Sequence, residues 1–193
     1  MLNKRYASDC RFLRGVLHPK DWPDVSGKEI AFWGRSNVGK SSLLNALMKR
    51  KNLAKVSKTP GRTQSINFYQ VQEGVRYVDL PGYGYACVPE VLQNMWHKNV
   101  LEYVLTRTSL SLVVILVDSR RDVGPQDIEV MNFLTKSLIP LQCLYTKIDC
   151  ISSAQRRLLK LNAGEIHHLK TSTTTGEGVF ELRTHILNTL QKG

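Results

Sequence analysis

The stretch "GRSNVGKS" (residues 34–41) decides the fold of this chain. It follows a short apolar strand, "EIAFWG" (29–34), and precedes a segment (40–50) whose leucines recur at helical spacing. A strand, a glycine-rich turn and a helix in this order form a phosphate-binding loop. The turn points successive N–H groups inward, and the helix adds the positive end of its dipole. Lys40 is then expected to reach the β- and γ-phosphates, and the Ser41 hydroxyl to bind Mg²⁺.

Beyond this loop, strand-like and helix-like segments alternate. The runs "SINFYQV" (65–71) and "VRYVDL" (75–80) flank a turn and predict an antiparallel hairpin. The unbroken apolar run "LSLVVILVD" (110–118) is typical of a central parallel strand that is buried on both faces. The alternation predicts an α/β fold with a mostly parallel sheet and helices on both faces. Ligands of such sheets bind at the carboxyl ends of the strands.

Length and composition favour one domain. The chain has 193 residues, of which 42% are hydrophobic, and residues 1–28 are expected to form a lead-in packed on a domain of residues 29–193. No apolar run is long enough to span a membrane, and the first residues do not resemble a secretory signal. The four cysteines lack metal-ligand spacing and favour reduced thiols in a cytoplasmic protein.

The positive charge is unevenly placed. The net charge is +11, and residues 1–62 hold 14 Lys and Arg against 4 Asp and Glu. Such a basic segment indicates an anionic partner such as RNA or anionic lipid. A solvated surface that keeps the protein soluble accounts for the charge equally well at this stage.

Two further motifs fit the phosphate loop. "DLPG" (79–82) ends a predicted strand, and Asp79 is expected to hold Mg²⁺ through a water while the Gly82 N–H contacts the γ-phosphate. "TKID" (146–149) follows another predicted strand. Guanine presents two adjacent donors that the Asp149 carboxylate can accept, whereas adenine does not, so this motif predicts GTP over ATP. The aliphatic part of Lys147 can cover the base.

Two loops are weaker candidates. "TST" (171–173) follows the last predicted strand and could present backbone N–H groups to guanine O6. "SKTPGRTQS" (57–65) lies between the first two motifs and suits a switch loop, in which a Thr hydroxyl completes the Mg²⁺ shell. Thr63 is preferred for that role and Thr59 is its competitor.

Five segments together resemble the EngB (YihA/YsxC) GTPases, within the TrmE-Era-EngA-EngB-septin-like superfamily. The segments are "GRSNVGKSSLLNAL", "KTPGRTQSINFY", "VDLPGYGYA", "LVDSRRDVGPQD" and "YTKID". The similarity runs from about residue 10 to the C-terminus. It implies a Ras-like P-loop G domain with a six-stranded, mostly parallel sheet and one antiparallel edge strand. It also implies Mg²⁺-dependent GTP and GDP binding, slow hydrolysis, and a role in maturing the large ribosomal subunit. Loss of such proteins is associated with defective division and septation.

The family's pattern implies the site residues one by one. The implied GTP contacts are Gly34, Arg35, Ser36, Asn37, Val38, Gly39, Lys40, Ser41, Gly61, Arg62, Thr63, Gln64, Ser65, Asp79, Leu80, Pro81, Gly82, Thr146, Lys147, Ile148, Asp149, Thr171, Ser172 and Thr173. The implied metal contacts are Ser41, Thr63 and Asp79, and the residues implied in hydrolysis are Lys40, Thr63 and Asn37. The last loop departs from the family's usual "FSS", which a backbone contact tolerates. A ribosomal role also makes rRNA the expected partner of the basic segment, for a protein that we expect to be a monomer.

Hydrolysis raises its own question. Ras-like proteins place a Gln after the DxxG motif to orient the attacking water, and here that position holds Tyr83. A partner, a rearranged loop or a monovalent cation could supply what is missing. TrmE-like proteins hold K⁺ with an Asn at the position of Asn37, and Arg62 is an alternative as an internal arginine finger. The tyrosines after "DLPG" are interpreted as contact surface. A rival hypothesis is a GTP-gated scaffold in cell division with no ribosome contact.

Overall fold

The computed structural model describes residues 10–55, 65–83, 90–159 and 168–192. The strands are β1 (Arg11–Val16), β2 (Lys28–Gly34), β3 (Ile66–Gln72), β4 (Val75–Asp79), β5 (Leu110–Asp118), β6 (Leu141–Thr146) and β7 (His168–Lys170). The helices are α1 (Lys40–Met48), α2 (Glu90–Thr106), α3 (Pro125–Lys136), α4 (Ser153–Leu158) and α5 (Val179–Lys192), with short 3₁₀ turns at Pro19–Asp21 and Ile148–Cys150.

The strands form one sheet in the order β1-β3-β4-β2-β5-β6-β7. The predicted α/β fold is therefore confirmed, and the strands β4, β2, β5, β6 and β7 are parallel. The expected number of strands was wrong, because the described residues alone form a sheet of seven strands and not six. The additional strand, β1, lies in the segment interpreted as a lead-in and pairs antiparallel with β3. Consequently the strand of opposite direction, β3, lies between β1 and β4 rather than at the edge.

Helices cover both faces of the sheet. On one face α1 and α5 bury leucine and isoleucine side chains such as Leu44 and Ile186 against the strands. On the other face α2 and α3 bury Tyr103 and Met131. Because both faces are covered, β5 is buried from Leu112 to its end, and the residues Leu112–Val117 are all apolar, as expected of a central strand.

A buried charge cluster ties the lead-in to the amino ends of the strands. The carboxylate of Glu29, with no exposed surface, accepts hydrogen bonds from Arg107 at 2.6 Å and Arg76 at 3.3 Å. The same two guanidinium groups donate to the backbone carbonyls of Pro23 and Asp24, at 2.8 and 2.7 Å. The cluster compensates a carboxylate that would be costly to bury alone.

The parallel strands bring the polar segments to one edge. The residues after β2, β4, β5, β6 and β7 all follow carboxyl ends of parallel strands, as the sequence predicts for its motifs. That edge holds the candidate site. Among the described helices, none is long and apolar enough to cross a membrane.

Candidate functional site

The phosphate loop is a tight turn between β2 and α1. An ideal Cβ on Gly34 would lie 2.8 Å from the carbonyl oxygen of Leu116, so a side chain there would displace backbone. Gly39 has a φ of +102° and is the N-cap residue of α1. Because glycine has no side chain, the first N–H groups of the helix receive no side-chain hydrogen bond from this residue. Asn37 also has a positive φ, of 61°. The loop therefore curls back to the helix, as an anion-binding loop requires.

Lys40 and Asp79 form an ion pair at this loop. The Lys40 ammonium contacts Oδ1 of Asp79, and their side chains are only 10% and 4% exposed. Asp79 reaches this position because β4 pairs in parallel with β2, opposite Phe32. Ser41 is the next residue of α1 after Lys40. The structure thus places the predicted phosphate-binding cation against Asp79, one predicted Mg²⁺ contact, while Ser41, the other one that it describes, is the neighbour of Lys40 in α1.

The segment Asp79–Gly82 lies directly against the phosphate loop. The Leu80 N–H donates to the carbonyl of Phe32 at 3.1 Å, and the Trp33 indole donates to the carbonyl of Pro81 at 3.1 Å. An ideal Cβ on Gly82 would lie 3.1 Å from the carbonyl oxygen of Gly34. A side chain at residue 82 would therefore crowd the loop, which explains a glycine at this position.

Tyr83 corrects one expectation. We interpreted its ring as contact surface, but it is 4% exposed and packs edge-on against Trp33, with the ring centroids 5.7 Å apart. Its hydroxyl donates to Oδ1 of Asp127 at 2.8 Å. Burial, together with the neighbouring Asp127 carboxylate, raises the pKa of Tyr83 far above its ordinary value. Tyr83 is therefore a neutral, buried anchor.

The Asp127 carboxylate, which accepts the hydrogen bond from Tyr83, has two further hydrogen-bond donors. Asp127 has no exposed surface, and its Oδ2 accepts from the Gly124 N–H at 2.9 Å and from Arg121 at 3.2 Å. The bond to Gly124 is part of the capping box of α3. In the sequence, Asp127 could be recognised only as an acidic residue in the first turn of a helix. That pattern indicates a helix cap and gives no information about Tyr83 as a partner.

"TKID" ties the end of β6 to the phosphate loop. The Thr146 hydroxyl donates to the carbonyl of Val38 at 2.7 Å, and the Lys147 ammonium donates to the carbonyl of Asn37 at 2.7 Å. The aliphatic stem of Lys147 passes near Gly39, whose ideal Cβ would lie 3.7 Å from Cε. These contacts join the predicted base site to the predicted phosphate site.

Asp149 and the loop 171–173 lie side by side. Ser172, which is buried, hydrogen-bonds the Asp149 carboxylate, and that bond holds the pKa of Asp149 below its usual range. The Ile148 N–H donates to the carbonyl of Thr171 at 3.3 Å, and Thr173 is exposed. Asp149 is therefore an ionised acceptor beside the loop expected to contact guanine O6.

One residue of the site was missed by sequence reasoning. Asp118 ends β5, and its carboxylate accepts from Lys147 at 2.8 Å and from Arg120 at 2.9 and 2.8 Å. Burial acts to raise the pKa of Asp118, but the hydrogen bonds from Arg120 and Lys147 outweigh it and lower the pKa well below its ordinary value. Its position at the carboxyl end of a predicted parallel strand is the sequence feature that could have identified Asp118 as a site residue.

The predicted switch loop is only partly described. Gly61, Arg62, Thr63 and Gln64 lie outside the described residues, and so does the competitor Thr59. Ser65 precedes β3, and its hydroxyl donates to the side chain of Asn67 at 3.0 Å. Within the described chain, no group of three or more His, Cys, Asp and Glu side chains is arranged to hold a metal ion. A Mg²⁺ contact through hydroxyl and single carboxylate groups would not form such a group.

Comparison with known proteins agrees with this geometry. The family model described as "50S ribosome-binding GTPase" matches residues 29–147. The fold and the site therefore define a P-loop GTPase, a protein that binds and hydrolyses GTP. The chain is 41% identical over 191 residues to a protein of Vibrio parahaemolyticus named "Probable GTP-binding protein EngB", covering 95% of this chain and 87% of that protein. A Thermotoga maritima protein of the same name is 42% identical over 193 residues, covering 95% and 97%. The chain belongs to the EngB family of GTP-binding proteins.

Solved structures support the fold. A crystal structure of a probable GTP-binding protein engB matches with a TM-score of 0.68 at 22% identity, covering 86% of this chain and all of that one. The structure of Era in complex with MgGDPNP and a 16S ribosomal RNA segment matches with a TM-score of 0.67 at 22% identity, covering 85% of this chain and 57% of that one.

Proposed function

We propose that this chain is a Mg²⁺-dependent GTPase switch that acts in the assembly of the large ribosomal subunit. The observation that carries the proposal is the convergence of a phosphate loop, the Lys40–Asp79 pair and Asp149 at one edge of the sheet, in a chain that matches a family described as ribosome-binding GTPases. We further propose that it acts in the cytoplasm as a monomer, and that its loss impairs cell division and septation.

The phosphate end of the site is assigned first. The N–H groups of residues 34–41 enclose the phosphates, Lys40 neutralises the β- and γ-phosphates, and Gly82 donates its N–H to the γ-phosphate. The oxygen donors of Ser41 and, through a water, Asp79 fit Mg²⁺, which prefers oxygen ligands. Bound Mg²⁺ would supply charge neutralisation between the phosphates. When Lys40 turns to the phosphates, the carboxylate of Asp79 becomes available to the metal.

The base end of the site is assigned to Thr146–Asp149 and Thr171–Thr173. Asp149, ionised beside Ser172, accepts from the two adjacent donors of guanine. Lys147 carries its aliphatic stem across Gly39 to the carbonyl of Asn37, which leaves an apolar surface for the base. Residues Gly61–Ser65, and Thr63 in particular, are proposed to close on the γ-phosphate.

Hydrolysis is proposed to be slow in the isolated protein. Tyr83 occupies the position at which a water-orienting Gln is expected, and its hydroxyl is buried against Asp127. Asn37 is exposed at the phosphate loop and is proposed to hold K⁺, with Arg62 as the alternative source of positive charge. The lead-in is proposed to belong to the same domain, since β1 pairs with β3 and Glu29 binds the arginines that hold residues 23 and 24.

Sedimentation with purified large ribosomal subunits tests the proposal. We expect the protein to sediment with the particles in the presence of a non-hydrolysable GTP analogue and to be released by GDP. Equal sedimentation in both states would contradict a GTP switch. No sedimentation in either state, together with normal GTP hydrolysis, would favour the scaffold hypothesis over a ribosomal role.

A further inference from the structure

A polar cavity of about 600 Å³ lies at the end of the sheet away from the phosphate loop. Its lining includes Arg11 at the start of β1, Gln72 at the end of β3 and Glu73 in the turn before β4. The phosphate loop follows the opposite end of β2, and a strand of this length spans roughly 20 Å. The cavity is therefore separate from the nucleotide site.

The charges around the cavity are mostly positive. Arg11 and Arg50 line it with exposed side chains, and neither belongs to an ion pair among the described residues. Lys49 and Lys51, next to Arg50 in the chain, are also exposed. Glu73 is the one acidic side chain of the lining. The cavity therefore has two arginines of the basic segment in its lining and presents their guanidinium groups to solvent.

An exposed aromatic ring accompanies these arginines. Phe12 is 48% exposed on β1, and its ring rests on Tyr69 with the centroids 5.5 Å apart. Arg14, two residues further on the same strand, is exposed as well, and its guanidinium group donates to the carbonyl of Asp21 at 3.3 Å. β1 is the first strand of the sheet, so in the described chain only β3 pairs with it. The register pairs Phe12 with Tyr69, and it pairs Arg11 and Arg14 with Gln70 and Phe68, so the ring lies on one face of β1 and the two arginines on the other. The free edge thus presents an exposed ring and guanidinium groups on one short strand.

We propose that this surface, which we call the β1 surface and define as Arg11, Phe12, Arg14, Arg50 and the cavity, binds RNA. Guanidinium groups bind phosphates, and an exposed ring on the same edge strand can stack on an unpaired base, which is the combination that single-stranded RNA requires. An anionic membrane fits less well, because the surface is a short strand and a polar cavity instead of an amphipathic helix. The inference deepens the proposed function and depends on it for the source of the RNA.

Fluorescence anisotropy with a labelled single-stranded RNA of mixed sequence tests the proposal directly. The double variant Arg11→Ala/Arg50→Ala should lose about tenfold or more in affinity near physiological salt. It should also reduce the slope of log K against log salt by about 1.4, since each phosphate contact on a single strand contributes about 0.7. The variant Phe12→Ala should weaken binding with an unchanged slope, because stacking releases no counterions.

Matched controls separate the surface from net charge and from folding. Lys136→Ala/Arg157→Ala removes the same charge from exposed positions on α3 and α4 and should leave the RNA affinity within about twofold of the wild type. Arg11→Lys/Arg50→Lys should keep the salt slope. Affinity for a fluorescent GDP analogue should be the same in all variants, because the nucleotide site lies at the other end of the sheet.

Two outcomes would overturn the proposal. One is an RNA affinity and salt slope of Arg11→Ala/Arg50→Ala equal to those of the control. The other is unchanged RNA binding together with lost binding to phosphatidylserine vesicles, which would make the surface a membrane contact. Sedimentation with large subunits separates this inference from the proposed function. If the wild type does not sediment but its RNA binding requires Arg11 and Arg50, the ribosomal role fails and the β1 surface stands.

Discussion

The hydroxyl of Tyr83 donates a 2.8 Å hydrogen bond to Oδ1 of Asp127, a carboxylate with no exposed surface. The backbone of Tyr83 also exchanges two hydrogen bonds with the phosphate loop, from the Ser36 N–H at 3.2 Å and to the carbonyl of Gly34 at 3.3 Å. One residue therefore joins the segment 79–82 to both the phosphate loop and α3. We infer that Tyr83 holds this segment in place and takes no part in proton transfer.

Replacement of Tyr83 by Phe tests that role. Asp127 would lose one donor but keep Gly124 and Arg121, so we expect the free energy of unfolding to fall by about 1 kcal/mol. The rate constant for GTP hydrolysis should change little, whereas loss of a group that transfers a proton would lower it by about 100-fold or more. Urea unfolding and single-turnover hydrolysis measure the two effects.

Tyr69→Phe is the matched control. It also removes the hydroxyl of a buried tyrosine, but this ring lies on β3 and its hydroxyl does not bind Asp127. It should destabilise the protein less than Tyr83→Phe. A Tyr83→Phe protein with unchanged stability and a 100-fold slower reaction would contradict the anchoring role and make the hydroxyl catalytic.

The contact between Asp118 and Lys147 leads to a prediction about nucleotide affinity. Asp118→Asn removes the charge that holds the Lys147 ammonium beside the carbonyl of Asn37. Loss of one charged hydrogen bond corresponds to about tenfold in the Kd for GDP, measured by titration with a fluorescent analogue. Asp122→Asn, an exposed residue in the same loop, should leave the Kd unchanged and serves as control. Equal Kd values for Asp118→Asn and the wild type would remove Asp118 from the site.

Asp118 should also make stability depend on pH in a defined direction. Its pKa is lowered in the folded protein from an ordinary value of 3.8, so its contribution is fully present above that value and is lost as the pH falls through the folded pKa. Since Arg120 is 53% exposed and the pair is screened, the contribution is only about 1 kcal/mol. The difference in unfolding free energy between wild type and Asp118→Asn should be constant from about pH 7 to pH 5 and shrink below pH 4. If this difference in unfolding free energy instead grew as the pH fell, the predicted direction of the Asp118 pKa shift would be contradicted.

Asp149→Asn should change the choice of base. The amide offers a donor where guanine needs an acceptor, so we expect GDP to bind about 100-fold more weakly and xanthosine diphosphate to bind better. Competition titrations with the two nucleotides provide the measurement, with Glu129→Gln, an exposed residue of α3, as a control. A variant that binds GDP as tightly as the wild type would show that Asp149 does not contact the base.

Monovalent cations test the proposed role of Asn37. We expect faster GTP hydrolysis in K⁺ than in Na⁺ at equal ionic strength. We expect Asn37→Gly, which tolerates the positive φ of this position, to lose the difference while retaining the fold. Asn37 is exposed, so the substitution leaves no cavity. Equal hydrolysis rates of the wild type in the two salts would rule out a role for K⁺. Slow GTP hydrolysis by Arg62→Ala would then favour Arg62 as the internal arginine finger.

Local patterns predicted most of the fold. β5 was predicted at 110–118 and forms at Leu110–Asp118, because an unbroken apolar run is typical of a strand covered on both faces. β1 was missed, since its sequence "RFLRGV" exposes arginines and a phenylalanine on an edge strand and lacks a clear alternation.

The site was predicted where a motif has a fixed spacing. The phosphate loop, Asp79 and "TKID" follow strand ends, and the sheet topology then brings them together without further information. Tyr83 and Asp127 are 44 positions apart in the sequence, so no local pattern could pair them. The role of Asp118 likewise depends on its hydrogen bond with Lys147, which is 29 positions away in the sequence. Contacts of this kind depend on the tertiary structure.

The most direct test of the central claim uses the altered base preference of Asp149→Asn. We expect this variant to sediment with large ribosomal subunits when a non-hydrolysable xanthosine triphosphate analogue is present, and to stay unbound with xanthosine diphosphate or with the GTP analogue at a concentration that saturates the wild type. That result would tie ribosome binding to the triphosphate in this site. Equal sedimentation with all three nucleotides, or none with the xanthosine analogue that it binds, would contradict a GTP-switched role on the ribosome.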